Sequence, residues 1–360
     1  MKRKISNILF KMELEGKGVV NYDSKEQQRI LNAFGIKGFG GVHSNVSFAK
    51  KNFYEKDDGV MTYKLKISSD CLKNAIFGKD VVAQSPNIVH HKNVFYSFLS
   101  SPYGIMKGYL FAEKEETLKR KSAFTIFDAE QICDAKSQIE TFSRSGKKTE
   151  KDIEINKSDN TFFKKETIGD VRYQTMGNID LMNLQFVSAD LVFDRYALNP
   201  DYFSLYKKYI LRRLPNFNSE LGYYQIKNSY IEIPEYGFVF SNNDLVELVK
   251  ITMKRLLKLY IRRSAAFASV SSLKVKLVDD VLTDTFKSEE GWVDIFNERN
   301  VDDLLDDVEF EMFYELIDEN DAEQQRNEIN EEVKRLKNIA KDEAKNKKSK
   351  ASKKSEDDEQ

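Results

Sequence analysis

One block of charge sets how this chain can be organised. From Asp279 to Glu332 there are 21 acidic and 3 basic residues, a net charge of −18. Residues 333–360 carry 10 bases and 6 acids, a net of +4, and the whole chain sums to −1. Residues 1–278 therefore hold +13, and the near-neutral total conceals a basic body with an acidic segment attached. Such an asymmetry points to an anionic partner for the body.

The 360 residues are enough for one large domain or two modest ones. A hydrophobic fraction of 41% and an aromatic fraction of 12% exclude disorder over most of the length. No apolar run approaches the roughly 20 residues of a membrane helix. The basic N-terminus, Met1 to Phe10, lacks the apolar centre of a signal peptide. With only Cys71 and Cys133 there is no disulfide framework. These features predict a cytoplasmic protein with no membrane partner.

The periodicities describe an α+β body followed by a charged helical C-terminal tail. Residues 8–14 form a plausible strand. Ser24 and Gln27 have the spacing of a capping box, opening a helix that Gly35 would close. Met61, Tyr63, Leu65 and Ile67 alternate with Thr62, Lys64 and Lys66, which predicts a strand. Ser143–Asn160 is polar and predicts an exposed hairpin or loop, and residues 179–193 and 230–240 look extended. The clearest helix runs from about Asp244 to Arg263, capped by Ser241, with Leu245, Leu248, Val249, Leu256, Leu259 and Tyr260 as its apolar stripe. Leu273, Val275 and Leu277 then alternate with Lys274 and Lys276 as a last strand. Strand, helix, strand, a long gap, strand, helix, strand suits a ferredoxin-like core with large insertions. The expected domains are a body over 1–284, an acidic helical extension over 285–340, and a disordered charged tail over 341–360.

The chemistry-bearing residues argue against an enzyme. The only histidines are His43, His90 and His91. No Cys or His spacing suits zinc, and neither a P-loop nor a nucleophile elbow is present. No metal and no cofactor are expected. Asp57 and Asp58 beside Gly59 read as a solvated turn. The cluster Gly35, Gly38, Gly40 and Gly41, running into His43, Ser44 and Asn45, is either a flexible connection or a loop whose N–H groups approach phosphates. Arg144, Lys147 and Lys148 surround Gly146, near Phe142, Phe162 and Phe163. Basic groups beside aromatic ones suit single-stranded nucleic acid, and equally a solvated loop anchored to the core. Arg262 and Arg263, at the expected end of the long helix, and the cluster Lys119, Arg120 and Lys121 are further candidates.

Four segments in this order resemble one family: Gly38–Asn45 (GFGGVHSN), Ser101–Tyr109 (SPYGIMKGY), Lys119–Glu130 (KRKSAFTIFDAE) and Thr175–Ser188 (TMGNIDLMNLQFVS). They are similar to the guide-RNA-coating backbone subunit of type I CRISPR surveillance complexes (the seventh Cas family, in the RAMP superfamily), with the minimal type I-F variant the nearest match. The resemblance spans roughly residues 5 to 280. It implies a ferredoxin-like or RRM-like core carrying an inserted thumb hairpin and lobes. It also implies a non-catalytic subunit that polymerises along guide RNA in a Cascade for antiviral defence. Its partners would be copies of itself, other Cascade subunits and target DNA, the last read through guide pairing. By this resemblance Gly38, Gly40, Gly41, His43, Ser44 and Asn45 hold the RNA backbone. Lys107, Arg120 and Lys121 line an RNA groove, and Arg144, Lys147 and Lys148 lie in an inserted lobe near nucleic acid. The stretch Ser264–Ser272 has no glycine where many RAMP proteins have a glycine-rich loop.

Two alternatives remain at this point. One is a RAMP-type endoribonuclease with His43 as acid or base and Asp58 as a metal-assisting carboxylate. The other is a structural protein that assembles when the basic body of one copy meets the acidic segment of another.

Overall fold

The computed structural model describes residues 4–23, 46–57, 59, 61–78, 91–112, 117–145, 160–229, 233–263, 266–279, 286–297, 300–306, 308–331, 334–335 and 337. Its central sheet is built from β1 (Asn7–Lys17), β2 (Met61–Ile67), β3 (Phe124–Ile126), β4 (Ala129–Gln131), β7 (Asp170–Asp180), β8 (Tyr260–Arg263) and β9 (Ala266–Val278). Strands β5 (Ser137–Ser145) and β6 (Asn160–Ile168) form a hairpin between β4 and β7. The main helices are α1 (Ser69–Phe77) and α2 (Asn242–Leu257).

From one edge the sheet runs β8, β9, β1, β7, then β3 and β4 sharing the next position, then β2 and the strand Lys51–Glu55. Neighbouring strands on this path are antiparallel. Taking β1, α1, β3/β4, β7, α2 and β9 in sequence, the chain follows βαββαβ, and β9, β1, β7, β3/β4 lie side by side. That is the ferredoxin-like order expected from the sequence. The second core strand is β3/β4, not β2, which lies one place further out.

The alternation of β1 decides which face is the core. Ile8, Phe10, Met12 and Leu14 are buried, while Lys11, Glu13, Glu15 and Lys17 share the other face. Phe10 stacks on Phe124 of β3 at 5.4 Å, and Phe77 of α1 meets Phe124 edge-on at 5.2 Å. Gly177 of β7 makes this layer possible. A Cβ there would lie 2.1 Å from the Thr125 carbonyl and 2.4 Å from the Phe10 ring.

Helix α2 begins with a capping box, in which Ser241 Oγ accepts from the Asp244 N–H and Asp244 accepts from the Ser241 N–H at 3.1 Å. It ends at Leu257, not at Arg263. Beyond it the burial period drops from 3.6 to 2: Leu259 and Ile261 are buried, while Tyr260 and Arg262 are exposed. Arg262 and Arg263 thus sit on an edge strand rather than at a helix C-terminus.

The acidic segment is not a separate helical extension. Val293–Asp294 pairs with β9, Glu309–Phe310 pairs in parallel with Lys4–Ile5, and Tyr314–Ile317 pairs with the strand Gly222–Ile226. The last two strands named join Phe186–Ser188 and Glu235–Val239 in a second, four-stranded sheet. Ile295, Val301, Leu304, Leu305, Phe310 and Tyr314 are buried. Between these apolar anchors the acids meet the basic body: Asp306 pairs with Lys250 at 3.0 Å, Asp302 with Lys254 at 2.8 Å, and Glu289 with Lys11 at 3.1 Å. Helix forms at Val301–Leu305 and again from about residue 319. The expected boundary at 284/285 lies outside the described residues; beyond it, sparse apolar residues, helical in Val301, Leu304 and Leu305, hold the acidic segment against the body despite its charged average. Among the described residues, no helix is long and apolar enough to cross a membrane.

Candidate nucleic-acid interface

Lys107 closes a one-turn π-helix, Tyr103–Lys107, and Gly108 follows with a φ of +75°. A side chain at Gly108 would be strained by that φ, and its Cβ would lie 2.4 Å from the Arg120 carbonyl. The chain can therefore turn directly into the hairpin Tyr109–Ala112 and Thr117–Arg120. These elements, with the turn at Phe193–Arg195, enclose an open cleft of about 780 Å³. Lys107, Lys119, Lys121 and Arg195 all line it, together with Tyr109, Leu110 and Phe193.

The four cations differ in what compensates them. Lys119 pairs with Asp194 at 2.7 Å. Arg195 grips Glu235 through Nε at 2.8 Å and through a second guanidinium nitrogen. Burial opposes the Arg195 charge, but Glu235 and the Tyr314 hydroxyl outweigh it and hold its pKa above the ordinary value. Among the described residues, Lys107 Nζ donates only to neutral oxygens, Asn74 Oδ1 at 2.8 Å and the Tyr103 hydroxyl at 2.6 Å. Lys121 is exposed, and no carboxylate among the described residues pairs with it. Among the described residues, Lys107 and Lys121 thus have no carboxylate partner at the cleft.

Arg120 corrects the sequence expectation. It is 6% exposed, and its guanidinium donates to the carbonyls of Ile105 at 3.0 Å, Phe186 at 2.9 Å and Leu184 at 3.0 Å. Burial draws its pKa below the ordinary value. Strand alternation explains the inversion: Lys119 and Lys121 face the cleft, so Arg120 between them must face inward. The residue is part of the cleft lining, but its guanidinium acts as a clamp beneath it.

None of the remaining expected residues that are described lines this cleft. Arg144 lies on β5, near the end of the β5–β6 hairpin, paired in register with Thr161. Arg262 and Arg263 lie on β8, and Arg263 Nε donates to the Val20 carbonyl at 3.3 Å. Gly38, Gly40, Gly41, His43, Ser44 and Asn45, with Lys147 and Lys148, lie outside the described residues, as do Asp58 and the Ser24–Gly35 helix. The basic face of α2 is engaged within the chain, since Lys250 and Lys254 hold Asp302 and Asp306. Sequence reasoning missed Arg195, whose place in the cleft depends on Glu235, 40 residues away. Among the described residues, no group of three or more His, Cys, Asp or Glu could hold a metal ion.

Comparison with known proteins adds the following. The model of the family described as type I-Fv CRISPR-associated protein Cas7fv-like matches residues 4–301. A chain of a "CRISPR RNA-guided surveillance complex" is similar at 9% identity, covering 79% of this chain and 74% of its own length, with a TM-score of 0.35. A chain of a "CRISPR RNA-guided surveillance complex, pre-nicking" is similar at 9% identity, covering 77% and 78%, with a TM-score of 0.35. None of the curated proteins compared with the chain matches it.

Proposed function

Given that this chain belongs to the Cas7fv-like family of type I-Fv CRISPR-associated proteins, we propose that it is the subunit that coats guide RNA in a surveillance complex, binding the sugar-phosphate path without cutting it. The observation that carries this reading is the cleft in which Lys107 and Lys121, without a carboxylate partner among the described residues, stand beside Tyr109 and Phe193. Phosphate contact by such cations is independent of sequence, which suits a subunit that must accept any guide. The β5–β6 hairpin, inserted between the second and third core strands, is the segment we assign to the thumb. Copies of the chain would follow one another along the RNA, with other Cascade subunits at the ends and target DNA paired to the guide. The charge asymmetry fits this reading better than assembly through the acidic segment, which supplies carboxylates to its own body.

The test is purification from cells that also express a CRISPR array, followed by ultraviolet absorbance and sequencing of bound RNA. Guide RNA is expected on an oligomer. Lys107→Gln and Lys121→Gln should each weaken binding of a labelled single-stranded RNA and reduce its salt slope by about 0.7. A nucleic-acid-free monomer at low salt overturns the reading.

A further inference from the structure

At the β8 edge of the central sheet two aromatic rings stand in solvent. Tyr260 is 55% exposed and Phe267 is 41% exposed, and their rings stack at 6.3 Å with 26° between planes. Cross-strand register places both on one face: Tyr260 opposes Ser269, and Arg262 opposes Phe267. The same face continues through Lys17, opposite Phe267, and Glu15, opposite Ser269, to Asp170 and Arg172 of β7. Phe267 is therefore flanked in its own row by Arg262 and Lys17. Arg262 is exposed, and no hydrogen bond, ion pair or ring contact engages it among the described residues. Further along, Val293–Asp294 extends the β9 edge, but beside the rings β8 is the outermost strand described.

Exposed aromatic side chains on a sheet normally find cover, because each ring left in water forgoes a large hydrophobic gain. A preformed stacked pair between an exposed guanidinium and a lysine has the form of a stacking surface for a base, with cations on either side for the adjoining phosphates. A second protein chain could also cover the rings, but the flanking cations favour a polyanion.

We propose that Tyr260 and Phe267, with Arg262 and Lys17, form a stacking platform for bases of single-stranded nucleic acid, distinct from the Lys107–Lys121 cleft. The platform rests on the RNA-binding reading for the identity of its ligand and on its own residues for its mode of contact.

Fluorescence anisotropy with two labelled single strands of equal length separates the contributions: one carries adenine bases and the other is an abasic backbone. The Tyr260→Leu/Phe267→Leu double variant should bind the base-bearing strand about tenfold more weakly, in line with loss of base–aromatic stacking. Its salt slope and its binding of the abasic strand should stay at wild-type values. Tyr260→Phe should bind as the wild type does. Arg262→Gln should weaken both strands and lower the slope by about 0.7. If the double variant is poorly folded by circular dichroism, Tyr260→Leu alone gives the same comparison with a smaller loss. Equal binding by wild type and the leucine variants, or equal loss on both strands, overturns the platform. So does altered sedimentation of the RNA-free protein with RNA binding unchanged, which marks a protein contact. Loss in Lys121→Gln with none in the leucine variants removes the platform and leaves the proposed function standing. No binding by the wild type removes both.

Discussion

Replacing Arg120 by methionine keeps most of the aliphatic stem and deletes the guanidinium. Three carbonyls, those of Ile105, Leu184 and Phe186, then lose donors at 2.9–3.0 Å in a site where the side chain is 6% exposed. Hydrogen bonds from a charged donor contribute about 1.5–3 kcal/mol each, and each buried carbonyl left without a partner costs about 1–3 kcal/mol. Relief from burying the cation offsets part of this, so a net loss of about 3–5 kcal/mol is expected. Lys121→Gln, one residue away on the opposite face, should change stability by less than about 0.5 kcal/mol. The assay is urea unfolding followed by circular dichroism, paired with RNA binding as a function of salt. Arg120→Met should move the unfolding midpoint strongly, and Lys121→Gln should move only the binding. An Arg120→Met protein with near-wild-type stability and a salt slope lower by one phosphate contact would refute the clamp and return Arg120 to the ligand.

Lys51 and Glu166 form an ion pair at 2.6 Å with both side chains fully buried, and Glu166 also accepts from the Ala49 N–H at 2.8 Å. Lys51→Met or Glu166→Leu alone should cost about 3–5 kcal/mol, while the double variant should cost clearly less than their sum in urea unfolding. Burial works to raise the pKa of Asp128, but hydrogen bonds from the Ser69 N–H and Lys66 outweigh it and hold the carboxyl below its ordinary 3.8. Its contribution is complete above pH 3.8 and lost as pH falls through the lower folded value. Wild type should therefore lose stability more steeply below pH 3.8 than Asp128→Asn, and parallel acid titrations would contradict this. Phe310 is 1% exposed within the acidic segment, so Phe310→Ala should cost about 3–5 kcal/mol in the same unfolding assay. A neutral outcome would restore the segment to an appendage.

Much of the core was legible because it rests on local periodicity. The alternation in β1, β2 and β9 and the capping box of α2 are patterns within a few residues, and each produced its element. The errors have a common physical origin. In the sequence the α2 stripe runs on through Leu259 and Tyr260, because a period of 3.6 and one of 2 cannot be told apart over so few residues. Only pairing of β8 with β9 reveals that Tyr260 is exposed. Average charge alone predicts a helical extension for the acidic segment. Its fold depends instead on a few residues, Val301, Leu304, Leu305 and Phe310, whose partners lie far away in the chain.

The candidate site divides in the same way. Charge alone pointed to an anionic partner for the body, and the basic cluster at 119–121 put Lys121 among the candidates, whereas Lys107 came only from the family resemblance. That Lys119 faces the cleft while Arg120 faces the core was decided by the placement of the strand Thr117–Arg120. That is a tertiary fact, because either face of a short basic strand can be the inner one until the carbonyls of Ile105, Leu184 and Phe186 are in place. The −18 of the acidic segment was likewise fixed by sequence. That Asp302 and Asp306 meet Lys250 and Lys254 was decided only by packing, since charge is additive along a chain and pairing is not.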